Sequence, residues 1–165
     1  MTYDDRELET LAREVGDRLR RAGLRLAVAE SCTGGWLGKA LTDIAGSSQW
    51  FERGFIVYSN KSKQDLLGVP AAVLLQHGAV SRETVYEMAE GVLRHSPADV
   101  TVAVTGIAGP DGGTPDKPVG TVWFAWLRRG GRPETRVCRF EGDREQVRRA
   151  AVAQALIGLI DLVSR

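Results

Sequence analysis

The sequence predicts an α/β protein, a three-layer α/β/α sandwich with a mixed, mainly parallel sheet. Strand-like alternation and helical periodicity take turns along the chain, and a final pair of strand-like segments reads as a hairpin. No internal repeat or linker interrupts the pattern, and 165 residues suit one domain over 1–165 with a sizeable core.

The elements follow in order. Leu8, Leu11, Ala12, Val15 and Leu19 mark one face of a first helix, with Gly23 at its stop. Leu24 to Ala29 alternates as a strand. Trp36, Leu37, Ala40, Leu41 and Ile44 recur at helical spacing, so Ser31 to Gly35 is a strand-to-helix turn. After a turn at Ala45 to Ser48, Gly54 to Ser59 reads as a second strand with a polar tip. Asn60 is the expected N-cap of a short helix that reaches Leu67 and stops at Gly68. Pro70 opens a further helical turn ending near Gly78, and Ser81 caps a longer helix with Val85, Met88, Ala89, Val92 and Leu93 inward. Val100 to Thr105 is a third strand. Gly106 to Gly120, rich in glycine and proline, is a long loop of the kind that is functional or disordered. Thr121 to Leu127 and Thr135 to Phe140 form the hairpin around Gly130 and Gly131, and a last helix runs from Asp143 to about Val163.

Composition narrows the function classes. With 22 basic and 21 acidic residues there is no global field to draw in nucleic acid or an anionic membrane, so neither is an expected partner. Met1 to Glu9 is polar where a signal peptide is apolar, and no apolar run is long enough to span a bilayer, which makes the cytoplasm the expected location. Cys32 and Cys138 form no CxxC pair, and the two histidines, His77 and His95, give little to build a metal site from. No metal and no cofactor is expected.

Three strand ends carry unusual polar groups: Ser31, Cys32 and Thr33 after the first strand, Tyr58 and Asn60 after the second, Thr105 and Gly106 after the third. Parallel strands would gather these groups at the carboxyl edge of the sheet, where open α/β folds bind ligands. The turn also aims backbone N–H groups and the positive end of a helix dipole at that edge, which suits an anion or a developing oxyanion. P-loop, GxGxxG and GxSxG signatures are all absent. A serine needs a base, and with neither histidine at a strand end, lysine is the substitute. If Asn60 is the cap, Lys63 shares a face with Leu66 and Leu67 and points inward, while Lys61 shares one with Gln64 and Asp65 and points outward. To act as a base Lys63 must be neutral near pH 7, a fall of about 3 from its reference pKa, which burial and the first helical turn both favour. Simpler readings stand beside these: Ser31 or Thr33 as a cap, Lys63 as a solvated charge, Cys32 as packing, His77 as a helix end, and Arg144 as surface charge or phosphate clamp.

Ala29-Glu-Ser-Cys-Thr-Gly-Gly35, Thr42 to Ser48, Phe51 to Gly54, Tyr58-Ser-Asn60 with Lys63, and His77 to Ser81 together resemble a known family. Thr105 to Pro110, Lys117 to Trp123 and Gly142 to Arg144 continue the match. The family is the C-terminal domain of the competence/damage-inducible protein CinA, which includes stand-alone nicotinamide-mononucleotide amidohydrolases. The resemblance implies deamidation of that mononucleotide to nicotinic acid mononucleotide and ammonia by a Ser/Lys hydrolase. It implies Ser31 as nucleophile, Lys63 as general base and Tyr58 as their hydrogen-bonding partner. It places Thr105 and Gly106 along the substrate site, with Arg144 a weaker candidate; Thr33, Gly34, Gly35 and Asn60 are further expected substrate contacts, and backbone N–H groups near Thr33 to Gly35 or Gly106 are the expected oxyanion donors. Lys61, and Thr114-Pro115-Asp116 in the loop, depart from the family pattern, and a second cation at Lys61 is expected to lower the Lys63 pKa further or alter selectivity. A homo-oligomer, a dimer foremost, is expected, with the aromatic segment Trp50 to Phe55 contributing. The rival reading from another class is a noncatalytic nucleotide-binding or regulatory module of the same fold.

Overall fold

The computed structural model describes residues 2–165, leaving Met1 outside the described residues. Its strands are β1 (Leu26–Glu30), β2 (Phe51–Ile56), β3 (Val100–Gly106), β4 (Thr121–Arg128) and β5 (Glu134–Arg139). They form one sheet in the order β2-β1-β3-β4-β5. β1 runs parallel to both β2 and β3, whereas β3 with β4, and β4 with β5, are antiparallel. The mixed sheet expected from the sequence is therefore observed, with its parallel half carrying the three polar strand ends to one edge.

Helices α1 (Asp5–Ala22), α2 (Trp36–Thr42), α3 (Asn60–Leu67), α4 (Ala71–His77), α5 (Arg82–Arg94) and α6 (Arg144–Val163) cover the two faces. Because successive strand residues face opposite ways, Leu26 and Val28 join the core beneath α1, α2 and α6, while Ala27 and Ala29 join the core beneath α3, α4 and α5. Close approaches fix the layers. A Cβ at Gly16 of α1 would lie 2.6 Å from the Trp50 ring, and one at Gly158 of α6 would lie 2.0 Å from Trp126, whose indole N–H donates to the Ala155 carbonyl. Trp50 is thus committed to the core of the chain. Gly91 of α5 lets the last turn of α3 come close, since its Cβ would meet the Leu67 carbonyl oxygen at 2.2 Å.

Several boundaries shift from expectation. β2 begins at Phe51 rather than Gly54, because its pairing with β1 starts at Leu26 opposite Phe51 and the Leu26 N–H also reaches the Trp50 carbonyl. It ends at Ile56, which leaves Tyr58 and Ser59 beyond the strand. Ser59, not Asn60, caps α3: its backbone is extended and its hydroxyl accepts the Ser62 N–H at 3.0 Å. Asn60 is the first helical residue. α2 stops at Thr42, short of Ile44, although Ile44 still turns into the core. The 106–120 loop is tied to its surroundings by bonds from Ile107 N–H to the Thr121 carbonyl, Gly120 N–H to the Ile107 carbonyl and Lys117 Nζ to the His77 carbonyl.

Candidate active site

β1 holds the centre of the site because both of its neighbours run alongside it. Val57 N–H donates to the Glu30 carbonyl at 2.8 Å on one side, and Ser31 N–H donates to the Val104 carbonyl at 3.1 Å on the other. Ser31 begins the turn Ser31 to Gly35, in which Gly34 and Gly35 take φ of +57° and +102°. Only glycine adopts such values without strain.

The turn's amides are less free than the sequence suggests. Those of Gly35, Leu37 and Gly38 all donate to the Glu30 carboxylate, at 3.2, 2.9 and 2.9 Å. Gly34 N–H bonds the Ser31 carbonyl and Trp36 N–H the Thr33 carbonyl. The expectation of an open anion site at the start of α2 is corrected accordingly, because a carboxylate of the chain already fills it. Among the described residues the amides of Cys32 and Thr33 are left without an acceptor. The Thr33 hydroxyl is also buried without a partner.

Lys63 reaches this turn from α3. It is 1% exposed, and its Nζ lies 3.2 Å from Ser31 Oγ, 3.0 Å from the Val57 carbonyl oxygen and 3.2 Å from that of Tyr58. Burial lowers its pKa from 10.5 to about 8, against a weaker opposing influence of Cys32. Among the described residues no carboxylate contacts it, so no ion pair holds the ammonium charged. Of its expected face-mates, Leu67 is buried but Leu66 is 46% exposed, so the inward stripe of α3 is narrower than its sequence implies. Lys61 turns outward to pair with Asp65 at 2.9 Å and does not contribute to the Lys63 shift. Burial pushes the Cys32 thiol up to about 12, which removes the neighbouring sulfur as a thiolate nucleophile.

The other expected residues divide between a rim and the scaffold. Tyr58 is 62% exposed, and its phenol oxygen accepts a bond from Arg144 at 3.2 Å, so its direct link to Lys63 is through its carbonyl. Arg144 also donates to the Gly109 carbonyl at 2.7 Å. β2 and β3 flank β1, so this Tyr58, Arg144 and Gly109 chain crosses the carboxyl end of β1. Thr105 is drawn away from the site, since its hydroxyl donates to the Ala79 carbonyl at 2.8 Å. Gly106 serves packing: a Cβ there would meet Val122 at 2.7 Å. Asn60 is exposed on the first turn of α3. His77 lies 3.7 Å from Glu83, away from the serine. Among the described residues no group of three His, Cys, Asp or Glu side chains is placed to hold a metal ion.

Residues 8–163 match the CinA C-terminal domain family. The chain belongs to that family. A curated relative from Escherichia coli K12, nicotinamide-nucleotide amidohydrolase PncC, is 55% identical, the match covering 92% of each chain. The protein of the same name from Pseudomonas putida is 50% identical over 94% of this chain and 96% of its own. Among solved structures, the competence/damage inducible protein CihA of Agrobacterium tumefaciens is similar with a TM-score of 0.93 and 44% identity, covering 100% of this chain and 99% of that one. The competence damage-inducible protein A of Klebsiella pneumoniae reaches 0.92 with 42% identity, covering 96% and 98%.

Two residues of this CinA domain escaped the sequence reading. Glu30 was legible in principle: period-two alternation puts it on the face of Leu26 and Val28, under α2, where a carboxylate must find donors. Arg148 had no local signal. Its guanidinium crosses from α6 to donate to the Cys32 and Thr33 carbonyls at 3.0 and 3.1 Å and lies over the Trp36 ring, 5.5 Å from its centroid. A groove of about 830 Å³ between α1 and α2 is lined by Trp36, Gly34, Gly35 and Arg148 but by neither Ser31 nor Lys63. It lies behind the turn and apart from the serine and lysine.

Proposed function

We propose that this chain is a nicotinamide-nucleotide amidohydrolase, which deamidates nicotinamide mononucleotide to nicotinic acid mononucleotide and ammonia in pyridine nucleotide recycling. Ser31 is the nucleophile and Lys63 the base. The observation that carries this reading is the placement of a buried amine 3.2 Å from Ser31 Oγ with two carbonyls beside it. A neutral amine has two N–H bonds and one lone pair. With the N–H bonds on Val57 and Tyr58, the lone pair is left for the Ser31 hydroxyl. The high identity to chains named for this activity supplies the substrate class.

In the first half-reaction Ser31 Oγ attacks the carboxamide carbon as its proton passes to Lys63. The carbonyl oxygen becomes an oxyanion, for which the Cys32 N–H, next after the nucleophile and without an acceptor, is the favoured donor. The Lys63 ammonium returns its proton to the departing nitrogen, ammonia leaves, and a serine ester remains. Water then attacks the ester with Lys63 again taking the proton, and as the intermediate collapses Lys63 returns that proton to Ser31 Oγ, releasing the acid and restoring the serine hydroxyl and neutral amine. Tyr58 and Arg144 at the rim meet the nucleotide, Arg144 providing a fork suited to its phosphate. Thr33 is fully buried, and Gly34 and Gly35 line the groove behind the turn, so these three carry the serine rather than meet the nucleotide.

Ammonia release from nicotinamide mononucleotide, nicotinamide riboside and nicotinamide tests the reading directly. Turnover of the mononucleotide, its loss in Ser31→Ala and a lower rate with the riboside are expected. Wild-type release in Ser31→Ala overturns the nucleophile, and binding without turnover by the parent favours the noncatalytic module.

A further inference from the structure

We infer that Glu30 and Arg148 are positioning residues that clamp the Ser31 to Gly35 turn from two sides and thereby hold Ser31 Oγ against Lys63; this rests on the Ser31 and Lys63 roles proposed above. The turn has little stiffness of its own. It contains two adjacent glycines at positive φ, and its internal bonds are those from Gly34 N–H to the Ser31 carbonyl and from Trp36 N–H to the Thr33 carbonyl. Glycine leaves the backbone many alternatives, so the conformation must be imposed from outside.

Glu30 holds the donors. Its carboxylate is 2% exposed, and a buried anion is tolerated only when hydrogen bonds replace its water. Three backbone N–H groups do so, from Gly35, Leu37 and Gly38. The approach is close: a Cβ at Gly38 would sit 3.4 Å from Glu30 Oε2. Arg148 holds the acceptors. Its planar fork takes the carbonyls of Cys32 and Thr33, a geometry a single ammonium does not reproduce. The two side chains therefore bind opposite kinds of group in one short stretch, and neither bonds Ser31 Oγ or Lys63 Nζ.

The Thr33 hydroxyl, buried and unpartnered, supports the same inference. A turn free to relax would rotate to give that group an acceptor. Here the carbonyls of Cys32 and Thr33 are already taken by Arg148, and the amides that follow the turn by Glu30, so the turn stays in the conformation that puts Ser31 beside the lysine.

The test is steady-state kinetics of Glu30→Gln and Arg148→Lys with nicotinamide mononucleotide. Rates are expressed per folded molecule from near-UV circular dichroism, alongside the Kd of nicotinic acid mononucleotide. Glu30→Gln turns an NH₂ toward backbone donors, and a misplacement of the order of 1 Å lowers kcat by about 10²-fold. Arg148→Lys keeps the charge but loses the fork, with an expected drop of about tenfold. In both, KM and product Kd stay within about threefold, because binding groups at the rim are untouched. A kcat per folded molecule within about threefold of the parent in either variant, or a loss carried by KM alone, overturns the clamp. If Glu30→Gln does not fold, Arg148→Lys decides by the same criterion. Ser31→Ala separates the two levels: activity retained there removes the underlying reading, whereas an inactive Ser31→Ala beside fully active clamp variants removes only this inference.

Discussion

Ser31 and Lys63 are buried and held by the backbone of three strand ends, whereas Tyr58 and Arg144, at the same edge of the sheet, are exposed and held chiefly by each other and by one carbonyl. Burial is what suits this lysine to the role of base proposed for it, since desolvation alone accounts for the downward movement of its pKa. Exposure leaves the guanidinium hydrated and able to exchange partners. The inner pair is suited to chemistry that tolerates no displacement, and the outer pair to meeting a ligand that arrives from water.

The sharpest way to break this contrast is to replace the inner amine. Lys63→Met is expected to lower kcat by about 10³-fold or more, as loss of a general base does, while leaving KM near its parent value. Its stability carries a second signature. The folded-state pKa of about 8 lies below the unfolded 10.5, so the folded protein bears the full cost of a buried ammonium below pH 8 and is relieved of it as pH rises toward 10.5. Thermal melts of variant and parent should therefore favour the variant more at pH 7 than at pH 10.5. A difference that is flat with pH would show that Lys63 is not held at a depressed pKa.

The parent's own pH profile is the next test. Since Lys63 must be neutral to accept the Ser31 proton, kcat/KM should rise with pH and level off above about 8. A plateau that already begins at pH 6 contradicts a lysine base.

Arg144→Ala probes the rim. We expect KM for nicotinamide mononucleotide to rise about tenfold with kcat little changed, and no such rise with the riboside, which has no phosphate to lose. Equal effects on both substrates would place Arg144 in the scaffold. The smallest effect belongs to Lys61→Ala. Its ammonium is paired with Asp65 in solvent, so activity and the midpoint of the pH profile should stay within about twofold and a few tenths of a pH step, respectively.

The contrast between inner and outer residues also separates what could be read from the chain. Alternation located β1, β3 and the hairpin, and helical spacing chose Lys63 over Lys61, because both depend on neighbours in sequence. β2 was displaced because its edge position makes its burial pattern irregular, and pairing with β1 rather than hydropathy sets where it starts. The cap moved from Asn60 to Ser59 because either side chain suits the role and the strand's true end decides. Thr105 has the residue type of a ligand contact, yet its hydroxyl serves the Ala79 carbonyl from a segment 26 positions away. Arg148 meets its partners across 116 and 115 positions, and no local pattern announces such a contact.

The β4–β5 hairpin, whose tip is Gly130 and Gly131, divides the protein in a way that its fold does not advertise. Everything on the Ser31 and Lys63 side of the tip belongs to one stretch of chain, while Arg144 and Arg148 lie on the other. A chain cut at this turn would place Ser31 and Lys63, with Glu30 and Tyr58, in one fragment and the two arginines that complete the rim and the brace in its complement. Turnover would then report the rejoining of two polypeptides, which makes the turn a natural place to build a split reporter from this domain.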